Sequence, residues 1–157
     1  MNEVVNVFDA EVTYDADDPT GYETGSLRLR PLLGGVQLGA TIYELAPGQS
    51  ICPYHYEYGN EEWLIVLAGR PLLRTPEGER DLEPGDVACF REGPEGAHKV
   101  GNRGDETARV LMLSTQRDPD VSVYPDSDKI GVFPGNDLDR LIFPRRAGVD
   151  YWEGERG

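Results

Sequence analysis

The sequence predicts an all-β domain of barrel or sandwich type with few or no helices, on three observations. Short segments rich in β-branched and aliphatic residues recur along the chain. Clusters of Gly, Pro, Asp and Asn separate them, and no stretch keeps a 3.6-residue apolar period over three helical turns. The 19 glycines and 12 prolines are scattered, which shortens the elements and multiplies the turns.

In chain order, strands are expected at SLRLRPLL (26–33), VQLGATIYEL (36–45), EEWLIVLAG (61–69), RPLLRT (70–75), DVACF (86–90) and TARVLMLST (107–115). The intervening APGQ, TPEGE, EPGD, GPEG and NRGDE are turn chemistry, because these residues accept or fix the backbone angles that reversals need. The N-terminal twenty-five residues read as an acidic loop after one candidate strand, VVNVF. Beyond Arg117, VSVYP, KIGVF and RLIFP are apolar enough to add strands or wrap around the barrel. The other reading of this tail is a clasp on a second chain, with Tyr151 and Trp152 as its anchors.

A length of 157 residues suits one domain spanning 1–157, whose core needs no disulfide or metal staple. The net charge of −14 repels phosphate backbones and anionic lipid heads, so neither nucleic acid nor a membrane is an expected partner. That surface charge leaves Arg28, Arg30 and Arg74 free to face inward. There is no apolar run of about 20 residues to span a bilayer. The start, MNEVVNVFDA, lacks the basic and apolar regions of a signal peptide, so a cytoplasmic location is expected. Cys52 and Cys89 are too few for a disulfide framework and are expected as buried free thiols.

The chain has two histidines, His55 and His98, each beside a turn and a strand and each near carboxylates. Their surroundings, PGQSICPYHYEYGNEEWLIVLAG and EPGDVACFREGPEGAHKVGN, resemble the two signature motifs of the cupin superfamily. In the first, Gly48, His55, Glu62 and Gly69 occupy the glycine, first-histidine, glutamate and closing-glycine positions. In the second, Gly85, Gly93, His98 and Asn102 match, with one extra residue before the histidine and Arg91 where proline is common. The resemblance covers about residues 36–115, with N- and C-terminal extensions expected to pack on the barrel. It implies a double-stranded β-helix, a jelly-roll barrel with its site in the mouth.

The resemblance also implies a divalent transition metal, one per chain, held by His55, Glu57, Glu62 and His98, with Fe, Mn, Ni and Zn not distinguished. Glu57 stands where the family has the second histidine of a His-x-His pair. Alternation sends His55 and Glu57 to one face and Tyr54, Tyr56 and Tyr58 to the other. Three readings of Glu57 stay open: a fourth ligand, a base acting through a metal-bound water, or the mark of a weakened site. The six-residue spacing to Gly69 selects Glu62 over Glu61, which then points outward.

Tyr43 is a candidate pocket residue. The family menu then offers oxygenase- or isomerase-type chemistry on a small molecule, or a non-catalytic small-molecule or sugar-binding module. A metal-independent sugar epimerase needs a His–Asp pair, and no aspartate lies near either histidine in sequence. A homodimer is expected, with Trp63, Ile65 and Leu67 either at its interface or in the core between two sheets.

Overall fold

The computed structural model describes residues 3–155. Thirteen strands are present among them: β1 (Thr13–Tyr14), β2 (Gly25–Arg28), β3 (Gly39–Leu45), β4 (Tyr56–Glu57), β5 (Glu62–Ala68), β6 (Leu72–Thr75), β7 (Gly78–Asp81), β8 (Val87–Phe90), β9 (Lys99–Gly101), β10 (Ala108–Ser114), β11 (Asp120–Tyr124), β12 (Lys129–Phe133) and β13 (Leu141–Pro144). One short helix, α1 (Leu29–Leu33), and three single 3₁₀ turns complete the described residues. All pairings are antiparallel. Six strands run in the order β1-β2-β3-β10-β5-β8, four in the order β13-β12-β11-β4, and three in the order β7-β6-β9. Together they form an open jelly-roll barrel.

Alternation builds the core. On β5, Leu64 and Val66 are buried while Trp63 is 43% exposed. Across the ladder Leu64 faces Met112 and Ala88, and Val66 faces Val110. These side chains meet Phe90 of the same sheet, and Leu73, Leu82 and Val100 from outside it, in one apolar cluster. Removing water from such side chains is worth about 2 kcal/mol each, which holds the layers together. A second, smaller cluster of Tyr54, Tyr56, Ala97 and Val123 lies under the tail sheet. Tyr54 and Tyr56 therefore face away from the barrel interior yet are covered, and only Tyr58 of the three is exposed.

Several local expectations are corrected. The segment 26–33 is half strand and half helix, because Pro31 has no N–H for a ladder and is tolerated in the first turn of a helix. Gly34, left-handed at φ 68°, closes α1 by donating to the Arg30 carbonyl. VVNVF forms no strand; the segment instead lies against β10, where Arg109 donates to the carbonyls of Val7 and Ala10. TPEGE turns directly into β7, a wholly exposed strand whose polar residues carry no apolar alternation. Cys89 is exposed on β8, not buried, because it is out of phase with Phe90 and Ala88, while Cys52 is partly buried. The tail pieces do form strands, and β11 pairs with β4 to bring the tail sheet against the histidines.

Candidate metal centre

His55 and His98 are direct antiparallel partners. The His55 amide donates to the His98 carbonyl at 3.1 Å, and the His98 amide returns the bond at 2.8 Å. Such a mutually bonded pair puts both side chains on one face of the ladder. Glu62 opens β5 in phase with Leu64 and Val66, so its carboxylate enters the barrel. Glu61 points outward and accepts a hydrogen bond from Trp63 Nε1 at 2.8 Å.

The extra residue in the second motif is absorbed by the 3₁₀ turn Pro94–Gly96. That turn packs so closely that a Cβ on Gly96 would sit 1.8 Å from the Arg91 carbonyl oxygen. Gly69 is fixed by a φ of 72° and by an approach that would leave a Cβ 2.7 Å from the Ala108 Cα. Asn102 is structural: its amide donates to the Leu45 and Glu106 carbonyls and its oxygen accepts from the Gly104 amide.

The orientation of the imidazoles is fixed by main chain. His55 Nδ1 is 3.0 Å from the Pro53 carbonyl, and His98 Nδ1 is 3.0 Å from the Gly96 carbonyl. A carbonyl only accepts, so both Nδ1 atoms carry the proton and both Nε2 atoms present a lone pair. These lone pairs converge on Glu62 Oε2, at 3.8 Å from His55 and 3.3 Å from His98. His98 Nε2 is buried yet has no hydrogen-bond partner among the described residues. Phe90 stacks on the His98 ring at 3.7 Å and 8°, which holds the imidazole in place.

Three ligand atoms from His55, Glu62 and His98 thus lie within 4.8 Å of one another. Two imidazole lone pairs aimed at a carboxylate repel unless a cation or proton sits between them. Metal–nitrogen and metal–oxygen bonds of about 2.0–2.2 Å place neighbouring donors roughly 3–3.5 Å apart, the spacing of Glu62 and His98 at 3.3 Å, while His55 stands further off at 3.8 Å from Glu62. The donor set therefore fits a divalent ion, and carbonyl-anchored Nδ1 atoms are the usual support of ligating histidines. Burial and the neighbouring His98 hold the His55 pKa below its ordinary value, so the ring is neutral and ready to ligate.

Glu57 lies outside this group of three. Its carboxyl turns towards Asp120 and Ser122 on β11, the strand that pairs with β4. Burial first, then the charges of Glu62 and Asp120, push the Glu57 pKa up to about 8. Burial likewise pushes the Cys52 thiol up to about 12, although its sulfur is 3.5 Å from His55 Nδ1, so it stays a thiol. Neither imidazole hydrogen-bonds an aspartate among the described residues, so the His–Asp pair of an epimerase is not formed.

Tyr43 faces inward from β3 and lines a cavity of about 520 Å³ that Glu62 also lines. Arg28 and Arg30 line the same cavity, whereas Arg74 is turned out, paired with Asp126 and lying over the Tyr54 ring. Asp120, Ser122 and Tyr124 were not legible as site neighbours. They reach it only because β11 pairs with a two-residue strand more than sixty positions earlier.

Residues 41–114 match the family model of the cupin domain. Those residues form a cupin domain. Among curated protein sequences none matches it. A crystal structure from Acidithiobacillus ferrooxidans, described as "Putative sugar phosphate isomerase", is 25% identical, covers 83% of this chain and 81% of its own, and has a TM-score of 0.76. A cupin-superfamily sugar phosphate isomerase from Silicibacter pomeroyi is 23% identical over 96% of this chain and 98% of its own, with a TM-score of 0.79. The polyketide cyclase RemF from Streptomyces resistomycificus is 24% identical over 74% and 81%, with a TM-score of 0.59. The last two identities speak to the cupin fold alone. No helix among the described residues is long and apolar enough to cross a membrane.

Proposed function

We propose that this cupin is a divalent-metal-dependent enzyme of isomerase type acting on a small, oxygen-rich molecule at the barrel mouth. The observation that carries this reading is the convergence of two buried Nε2 lone pairs on the Glu62 carboxylate, with His98 Nε2 otherwise unpartnered among the described residues. Two histidines and one carboxylate leave positions open to a ligand, and Glu62 also lines a cavity of about 520 Å³, within the usual range for small-molecule sites. The likeness to the Acidithiobacillus protein favours isomerase over oxygenase chemistry.

His55, Glu62 and His98 would hold the metal, which would polarise a substrate oxygen when bound. Burial raises the Tyr43 pKa, so its hydroxyl stays protonated and can donate to a substrate oxygen in the cavity. Glu57 holds a proton beside the Asp120 carboxyl at neutral pH and is available for proton transfer once a ligand reorganises that pair. Cys52, kept as a thiol, is no nucleophile.

The enzyme would pair as a homodimer through the outer face of the six-stranded sheet. There Leu111, Ile65 and Val87 lie in register as an apolar row with Trp63 beside it, Trp63 and Val87 exposed, while Ile42, next in the row, is already fully covered within the chain. Aldose–ketose interconversion of sugars and sugar phosphates by metal-loaded protein, abolished by chelation and restored by metal, is the test. Oxygen consumption without isomerisation would replace the isomerase reading, and ligand binding without turnover would leave a binding module.

A further inference from the structure

The cavity beside the metal centre is unusual in charge. Its lining includes two guanidinium groups, Arg28 and Arg30, and Glu62 is the one carboxylate among the lining residues described. This is a local inversion in a chain whose net charge is −14. Register explains why Arg28 is there: it pairs with Thr41 across β2 and β3, as Ser26 pairs with Tyr43. Pairing therefore puts Arg28 on the same face of the sheet as Thr41 and Tyr43, at the exposed end of β2, where it also borders a second cavity that Asp15 and Asp18 line.

The two arginines are not equivalent. Arg30 is engaged: Nε donates to the Gly35 carbonyl at 3.3 Å, Nη2 to the Val36 carbonyl at 3.1 Å, and Nη1 to Gln116 Oε1 at 3.3 Å. Those bonds tie the guanidinium to the 35–36 loop and to Gln116 and fix a positive charge at the cavity. Arg28 makes neither a hydrogen bond nor an ion pair among the described residues. Arg70, Arg74, Arg103, Arg109 and Arg117 are each matched to a carboxylate, whereas Arg80, Arg91, Arg140, Arg145 and Arg146 have no such match among the described residues; Arg28 differs from these five in lining the cavity that Glu62 lines.

We propose that Arg28 recognises an oxyanion on the ligand, so that the substrate is a small molecule with a phosphate or carboxylate group. That group docks on the guanidinium while the other end of the molecule reaches His55, Glu62 and His98. The second half of this statement rests on the metal-centre reading; the first half does not. A planar guanidinium with all its donors free offers the bidentate geometry that carboxylates and phosphates share. Screening over about 8 Å at physiological salt weakens the acidic exterior, so the charge nearest the ligand decides.

The test is a thermal-shift titration of the full chain, stripped of metal by chelator, with inorganic phosphate and with malonate at constant ionic strength. Wild type is compared with Arg28→Gln, and with Arg80→Gln as an exposed arginine outside this cavity. At least one anion is expected to stabilise wild type saturably, as binding to the folded state requires. Its apparent affinity falls about tenfold or more in Arg28→Gln, the worth of a charge-assisted bond, and is unchanged in Arg80→Gln. The tighter anion names the group. Stabilisation that rises without saturating, as excluded salts give, or equal affinity in Arg28→Gln, overturns the proposal. Because the protein carries no metal in this experiment, failure here is separate from failure of the metal-centre reading, which elemental analysis reports.

Discussion

Replacing Glu57 by glutamine separates the proton-holding role of this residue from its shape. The folded protein keeps the Glu57 carboxyl protonated up to about pH 8, against an ordinary value of 4.5. A raised folded pKa gives a contribution that is complete below the unfolded value and is lost as pH climbs towards the folded one. Between pH 4.5 and pH 7 the unfolded chain releases this proton while the folded chain retains it. At about 1.4 kcal/mol per unit, that costs the folded state about 3 kcal/mol at pH 7 and under about 1 kcal/mol at pH 5. Glutamine keeps the volume and a donor towards Asp120 but does not ionise. His55 adds the opposite slope, because its lowered pKa costs stability as pH falls below 6.5, yet it does so equally in both proteins. The measurement is urea unfolding of metal-free wild type and Glu57→Gln at pH 5 and pH 7.5. Wild type is expected to lose about 2–3 kcal/mol relative to the variant over that interval. Parallel pH profiles for the two proteins would refute the account of a neutral, buried Glu57.

Other expectations follow from single contacts. Gly96→Ala forces a Cβ into the Arg91 carbonyl and displaces the turn that orients His98, so metal content falls together with stability, by several kcal/mol in a denaturation curve. Leu64→Ala opens the cluster between the layers and costs about 2–5 kcal/mol by the same measurement. If the outer apolar row joins two chains, Ile65→Lys yields a monomer in sedimentation, and an unchanged mass would remove that face from the assembly. Glu57→Ala and Glu61→Ala, compared in metal titrations, decide whether the Glu57 carboxyl turns from Asp120 to the metal. A large loss of affinity for Glu57→Ala alone makes it a fourth ligand.

What the sequence made legible was what local rules govern. Strand alternation placed Glu62 inward and Glu61 outward, and turn glycines marked the ends of β5 and β8. The 3.6-residue test correctly found no long helix, yet it missed α1, where a proline ends a strand instead of beginning a loop. β7 was invisible because none of its residues is buried, so hydrophobic periodicity had nothing to record. The surroundings of Glu57 were out of reach for a different reason. Asp120 and Ser122 meet it through a pairing of distant strands, and that contact decides which way the carboxyl turns. Cys89 was misplaced because free cysteine is commonly buried, a tendency that says nothing about its phase on β8.

The proposed function depends on a metal held by His55, Glu62 and His98. Elemental analysis of protein purified without chelator tests it directly, alongside His98→Ala and Glu62→Gln purified identically. Close to one divalent transition-metal ion per chain is expected in wild type, with loss of that metal in both variants. A wild-type protein that contains no such metal, and gains no thermal stability when Mn, Fe, Ni or Zn is added, would contradict it.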